Sequence, residues 1–193
     1  MNKIRIEASE VQAFEKEHIA AARELAPECM VLLENDGTLP LKGAGKLALY
    51  GSGARNTIKG GTGSGDVNVR HFVTVEEGLK NAGFEITTNA WLDAYDQVRE
   101  DAKKAFFGGI RKEAEAAGVT GEKMMFYAMG KSCPEPEYEI ALEGEGDMAV
   151  YVLARNSGEG ADRTPTAGDI NLTQTEIRDI LALNEKYDKF ALV

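Results

Sequence analysis

The stretch DMAVYVLARNSGEGADR, residues 147–163, places a buried strand directly before a glycine-rich loop. The strand is apolar along nearly its whole length, as expected where both faces of a sheet are covered. A loop that only had to turn could do so with Asn-Gly or Asp-Gly. This loop instead sets Ser157, a glutamate between two glycines, Asp162 and Arg163 within seven positions. Such a concentration of polar groups at a strand end indicates a function.

Outward from this stretch, apolar strands alternate with helical patterns. Strands are predicted at 46–53, 85–89, 147–154 and 189–193. A helix is predicted at 10–34 with Ser9 as cap, and Pro27 within it predicts either a kink or two successive helices. Further helices are predicted at 74–84 ending at Gly83, at 90–119 with a break at Gly108-Gly109, and at 173–187 with a Thr173/Glu176 capping box. This alternation predicts a three-layer α/β sandwich with a mostly parallel sheet, incomplete at its C-terminal end.

Composition excludes several functional classes. The chain has 193 residues and a net charge of -10, so nucleic acid and anionic membranes are not expected partners. No secretory leader and no apolar run of about 20 residues is found, and the expected location is the cytoplasm. The two cysteines and two histidines lack metal-ligand spacing, so neither a metal nor a cofactor is expected.

A second glycine-rich loop, GSGARNTIKGGTGSGDV at residues 51–67, invites comparison with nucleotide sites. A dinucleotide fingerprint would need a third glycine where Asn56 stands, and the Gly-Lys-Ser/Thr of a Walker A loop is absent. Two interpretations remain from the residues alone. The loop lets backbone pack closely against another domain, or it lines a site for a different ligand such as a sugar.

Four segments together resemble the α/β sandwich domain of glycoside hydrolase family 3, the β-glucosidase family. They are APECMVLLENDGTLPL at 26–41, LALYGSGA at 47–54, GGTGSGDV at 60–67, and ARNSGEGADR with GDINLTQTEIRDI at 154–163 and 168–180. Glu34 replaces the lysine that is usual in the first motif. The resemblance runs from about Arg23 to Val193 and depends on the order and spacing of motifs that are weak individually.

The resemblance implies a retaining mechanism with two carboxylates. The nucleophile is an Asp on a separate (β/α)8 barrel, and the general acid/base is Glu159 of this chain. Ser64 matches a position that contacts the sugar in subsite −1 in some members. Asp162 and Arg163 match a pair that fixes the loop. The substrate class implied is a β-glucoside or oligosaccharide with a terminal β-linked glucose.

The chemistry of a retaining glycosidase suits a glutamate at this place. One carboxyl group protonates the leaving oxygen and then acts as base toward water, with its partner carboxylate about 5–5.5 Å away. A glutamate between two glycines can reach outward with little steric cover. From the residues alone, Glu159 would be interpreted as a solvated loop acid, and the resemblance favours catalysis.

The chain departs from the family pattern in its extent, because a (β/α)8 barrel alone takes about 250 residues. We therefore expect residues 1–34 to form an N-terminal helical segment and 35–193 a truncated sandwich domain. Both would belong to a longer enzyme with swapped domain order, and this chain alone would be inactive. The alternative is a non-catalytic, flavodoxin-like module that binds a nucleotide or a partner.

Three further features are interpreted as structural. Trp91 is expected in the core rather than as a sugar platform. The acidic run 135–147 is expected to be a solvated face, since it lacks the pattern of a calcium loop. Segment 119–146 is expected to be a surface excursion; the alternative is a loop that shapes the aglycone subsites.

Overall fold

A computed structural model of the chain describes residues 10–61, 65, 67–157 and 162–193. The chain divides into two compact units, Met1–Leu39 and Pro40–Val193. The second unit contains the sheet and both glycine-rich loops.

The first unit contains a helix that is shorter than predicted. Helix α1 spans Ala13–Leu25 and begins at Gln12, whose backbone N–H donates to Glu15 at 2.7 Å. A 3-10 turn follows at Ala26–Cys29, and Met30 is already extended. The prediction of helix to residue 34 was therefore wrong, because Pro27 lacks the N–H that an α-helix needs there. The predicted cap, Ser9, lies outside the described residues.

The described residues of the second unit include a sheet of four parallel strands. These are β1 (Lys46–Tyr50), β2 (Glu85–Ile86), β3 (Met148–Tyr151) and β4 (Lys189–Leu192), in the order β2-β1-β3-β4. Strands β1 and β3 lie side by side at the centre, with Tyr50 paired to Tyr151. All four predicted strands are present, although each is shorter than its predicted range.

In the part of the second unit that the structure describes, four helices accompany this sheet: α2 (Val75–Asn81), α3 (Asn89–Ala116), α4 (Lys123–Ala128) and α5 (Gln174–Lys186). The N-cap at Thr74 and the Thr173/Glu176 capping box form through side chains. Each cap satisfies backbone N–H groups that a helix start leaves without partners. The predicted α/β sandwich with a parallel sheet is confirmed.

Helix α3 runs unbroken through Gly108 and Gly109, so the predicted break was wrong. A glycine in a helix interior costs only about 1 kcal/mol relative to alanine. Burial of Ile110 and Ala114 on the following turns holds the C-terminal half in place and offsets that cost.

The core lies around β1, of which Leu47 through Tyr50 are fully buried. Trp91 is 4 % exposed and packs against three tyrosine rings, with centroid distances of 5.0 Å to Tyr50, 4.8 Å to Tyr95 and 5.7 Å to Tyr138. The indole is therefore a core side chain, as predicted, and is not a platform for a sugar.

The later part of segment 119–146 contacts this core, whereas residues 119–134 are exposed or half-buried. The prediction of a surface excursion is therefore wrong only for the part that directly precedes β3. Tyr138 is buried, and the Gly144 backbone N–H donates to the Tyr50 hydroxyl at 3.0 Å. The side chain of Glu135 is only 6 % exposed and accepts from Tyr95 at 2.5 Å and from Arg99 at 2.8 Å. The acidic run is thus not uniformly solvated, because Glu135 has an internal cation as partner.

Replacing Gly108 with alanine tests the continuity of α3. No atom outside the helix backbone lies within 4 Å of the position a Cβ would take, so Gly108→Ala should raise the free energy of unfolding by about 0.5–1 kcal/mol. Gly83→Ala is the matched control, because Gly83 has a φ of 93°, and it should lower that free energy by about 1–2 kcal/mol. Urea denaturation measures both. Destabilisation by Gly108→Ala would contradict a regular helix at this point.

Candidate active site

The two glycine-rich loops leave the sheet in direct backbone contact. We call residues 51–73, after β1, the first loop and residues 152–172, after β3, the second loop. The Val152 N–H donates to the Tyr50 carbonyl at 2.9 Å, and the Gly53 N–H donates to the Val152 carbonyl at 2.9 Å. Gly51 has a φ of 89°, and a Cβ there would overlap the Val152 carbonyl oxygen. Only glycine permits this approach.

A side chain extends the contact between the loops by one more step. Ser52 is buried, and its hydroxyl accepts from the Ala154 N–H at 3.2 Å. Farther along the first loop, the Thr57 hydroxyl donates to the Gly53 carbonyl at 2.7 Å and accepts from the Val75 N–H at 2.9 Å. The start of the first loop is therefore fixed both to its neighbour and to helix α2.

An arginine anchors the first loop to two helices. Arg55 contacts Glu76 of α2 at 2.7 Å and also Asp93 and Asp96 of α3, at 2.5 Å and 3.2 Å. Lys80 contacts the other oxygen of Glu76 at 2.6 Å. Burial alone would raise the pKa of Glu76, but hydrogen bonds from Arg55 and Lys80 hold it below its ordinary value.

The second loop is anchored in the same way, by an arginine that pairs with a glutamate of the next helix. Arg155 donates to both carboxylate oxygens of Glu176, at 2.8 Å and 2.6 Å, and Glu176 is fully buried in the first turn of α5. Glu176 also accepts from the Thr173 N–H at 2.8 Å. The remaining donors of Arg155 reach the Asp169 carbonyl at 2.7 Å and the Ala154 carbonyl at 3.1 Å. Both bonds to Glu176 come from Nη2, while Nε and Nη1 bond the two carbonyls, so the guanidinium is fixed in orientation as well as in distance.

Sequence reasoning missed these two arginine–glutamate pairs. The tripeptide Ala-Arg-Asn occurs at 54–56 and again at 154–156, just after β1 and just after β3. In each case the arginine meets a glutamate 21 residues later. The repeated tripeptide, followed at equal distance by an acid in the first turn of a helix, was the available signal.

Asp169 closes the base of the second loop. Its carboxylate accepts from the Thr164 N–H at 2.7 Å and from the Thr164 hydroxyl at 2.6 Å, and it pairs with Arg163. Arg163 also donates to the Asn156 carbonyl. The hydrogen bonds from the Thr164 hydroxyl and N–H lower the pKa of the Asp169 carboxyl. Asn156 and Arg163, on either side of residues 158–161, are therefore joined by a hydrogen bond.

The structure describes some of the predicted site residues and not others. Glu159 and Ser64 lie outside the described residues, so their roles stay predictions. Arg163 fixes the base of the loop, as predicted, whereas Asp162 is exposed. The described residues establish that the loops carrying Glu159 and Ser64 start from adjacent central strands, at the carboxyl ends where ligands bind in open α/β sheets.

A polar hollow of about 150 Å³ lies beside the second loop. Its lining includes Glu135, Arg155, Arg163, Thr164 and Asp169. These groups are paired with one another or with neighbouring protein groups.

Metal ligation and membrane insertion find no support in the described ranges. Over residues 10–61, 65, 67–157 and 162–193, no three His, Cys, Asp or Glu side chains converge as a metal site would require. Within the same ranges, no helix combines the length and the apolar content needed to cross a bilayer.

Comparison with known proteins gives a consistent result. The family model described as the glycosyl hydrolase family 3 C-terminal domain matches residues 30–191. Beta-glucosidase A of Butyrivibrio fibrisolvens is 31% identical over 174 residues, which cover 89% of this chain and 19% of that protein. Thermostable beta-glucosidase B of Acetivibrio thermocellus is 30% identical over 156 residues, covering 70% of this chain and 20% of that protein.

A solved structure of beta-glucosidase 3B from Thermotoga neapolitana, in complex with alpha-D-glucose, is similar in fold. The TM-score is 0.65 at 27% sequence identity, over 94% of this chain and 24% of that one. The chain thus spans about a fifth of the length of the curated relatives and about a quarter of this structure.

The charged pair at Glu76 predicts a pH dependence of stability. Because the folded-state pKa is lowered from 4.5, the pair stabilises the fold above that pH and the contribution is lost as pH falls. Glu76→Gln should cost about 1–3 kcal/mol of unfolding free energy at pH 7, and the cost should shrink toward pH 3.

The control for this change is Glu77→Gln, on the same turn of α2 but with a 39% exposed side chain. It should change stability by less than about 0.5 kcal/mol. Urea denaturation at both pH values measures the two variants. A cost of Glu76→Gln that does not fall with pH would contradict the assigned pair.

Proposed function

Because the chain belongs to the family of the glycosyl hydrolase family 3 C-terminal domain, we propose that it is part of a retaining β-glucosidase-like glycosidase. The family match over residues 30–191 supports this proposal. The relatives' own names, beta-glucosidase A and thermostable beta-glucosidase B, support the substrate class. The proposed substrates are glucosides or oligosaccharides with a terminal β-linked glucose.

In this proposal the domain supplies the general acid/base, and Glu159 is that residue. The assignment of Glu159 comes from the resemblance of its motif within the family match, and the described ends of the second loop support it: the base of the loop is closed between Asn156 and Arg163 at the carboxyl end of a central strand. A glutamate carried there would protonate the departing glycosidic oxygen and then deprotonate the incoming water.

The first loop would contribute to the same site. Its start is in backbone contact with the second loop at Val152, which supports a ligand shared by the two loops. Ser64 is the proposed sugar contact, in subsite −1. A hydroxyl there could exchange hydrogen bonds with a pyranose hydroxyl.

The second carboxylate of the mechanism would come from another part of the full-length protein. The proposed source is an Asp on a (β/α)8 barrel domain, consistent with the small share of its relatives that the chain spans. A retaining mechanism requires that this carboxylate lie close enough to attack the anomeric carbon while Glu159 protonates the opposite substituent.

Substitution of Glu159 tests the acid/base role in the full-length protein. Glu159→Ala should lower kcat for a p-nitrophenyl β-glucoside by about 10²–10⁴-fold, and added azide should restore part of the rate as the glucosyl azide forms. Azide replaces water as nucleophile and needs no general base.

The control is Glu145→Ala, because Glu145 is an exposed acid near the start of β1, where it pairs with Lys46. It should leave kcat unchanged. Unaltered turnover by Glu159→Ala, or a loss that azide does not relieve, would refute the assigned role.

The divided site predicts a difference between the chain and its full-length protein. The 193-residue chain should show no turnover of a p-nitrophenyl β-glucoside, whereas the full-length protein should turn it over. Turnover by the chain alone would contradict a nucleophile supplied from elsewhere.

A further inference from the structure

Two arginines flank the segment that contains Glu159, and both end on one aspartate. Arg155 precedes the segment and donates to the Asp169 backbone carbonyl at 2.7 Å. Arg163 follows it and pairs with the Asp169 carboxylate. We call Arg155, Arg163 and Asp169 the loop clasp.

The clasp has little capacity left to bind a substrate. Each nitrogen of the Arg155 guanidinium has a protein acceptor: Nε the Asp169 carbonyl, Nη1 the Ala154 carbonyl and Nη2 the Glu176 carboxylate. The Asp169 carboxylate is occupied by Arg163 and Thr164. Groups that are satisfied in this way hold structure, and a substrate would have to displace existing partners to reach them.

The clasp is attached to the body of the domain at two points. Glu176, the partner of Arg155, is fully buried at the start of α5. The turn that carries Asp169 is attached through Gly168, whose carbonyl accepts from the Glu135 N–H at 2.8 Å. A Cβ on Gly168 would overlap the Glu135 carbonyl oxygen, so this attachment is a close backbone approach.

We propose that Arg155, Arg163 and Asp169 are positioning residues that set where Glu159 stands relative to the leaving-group oxygen. The proposal rests on the function proposed above. The base of the loop is fixed by directional charged contacts to buried elements. Because a small displacement of a catalytic group lowers the reaction rate strongly, these contacts would control catalysis.

This role has a specific kinetic signature. An aryl leaving group of low pKa departs with little need of a proton, whereas a leaving group of high pKa depends on the general acid. Displacing Glu159 would therefore slow substrates with poor leaving groups more than activated ones. A general loss of stability would slow both alike.

The experiment uses the full-length protein with Asp169→Asn and Arg155→Lys. Asparagine keeps the shape of Asp169 but removes its charge, and lysine keeps the charge of Arg155 but not its fork of donors. The measured quantity is kcat/KM for 2,4-dinitrophenyl β-glucoside and for phenyl β-glucoside. For each variant, kcat/KM for the phenyl substrate should fall at least about tenfold more than for the dinitrophenyl substrate.

Asp179→Asn and Arg178→Lys are matched controls on α5. Asp179 is as buried as Glu176, but it bonds Tyr138 at 2.8 Å and Arg178 at 2.7 Å, and not the clasp. These variants should leave the ratio of the two kcat/KM values unchanged, even where thermal unfolding reveals lower stability. Thr164→Val, which removes one exposed hydroxyl donor to Asp169, replaces Asp169→Asn if that variant does not fold, and should shift the ratio in the same direction.

Equal losses for both substrates in the clasp variants would overturn the proposal. Glu159→Ala, measured with the same pair of substrates, separates this failure from that of the proposed function. If Glu159→Ala lowers the phenyl rate selectively and the clasp variants do not, only the positioning role is wrong. If Glu159→Ala is itself not selective, the acid/base assignment fails.

Discussion

The close approach of Gly51 to the Val152 carbonyl is the contact on which the arrangement of the loops depends. It joins the first residue after β1 to the first residue after β3, and it is possible only because Gly51 lacks a Cβ and has a positive φ. Two loops that would otherwise leave the sheet independently are thereby brought together. The site proposed for the sugar needs residues from both.

Charge, rather than apolar burial, fixes the loops beyond this contact. Arg55 and Arg155 each reach from a strand end to the first turn of the next helix, at Glu76 and Glu176. A buried carboxylate is costly unless a cation and hydrogen bonds offset its desolvation, and both glutamates have these. Such pairs contribute orientation more reliably than they contribute stability, which is what a loop proposed to carry a catalytic group would require.

The sequence predicts this fold well where local patterns determine it. The apolar run of β3 and the Thr173/Glu176 capping box depend on near neighbours in the chain, and both are found. The break predicted in α3 was wrong because the cost of two glycines is smaller than the gain from packing Ile110. Burial of Glu135 could not be anticipated, since its partners Tyr95 and Arg99 lie 40 and 36 residues away in the chain. Glu159 was identified by resemblance of motifs, because periodicity carries no information about a loop.

In the proposed site, one carboxyl group from this domain and one from elsewhere in the full-length protein act on a single sugar. A crystal structure of that protein, with a 2-deoxy-2-fluoroglucosyl group trapped on the nucleophile, measures this directly. A divided site requires a labelled aspartate outside residues 1–193, with the Glu159 carboxyl about 5–5.5 Å from it across the anomeric carbon. A label within this chain, or a Glu159 carboxyl more than about twice that distance away, would contradict it.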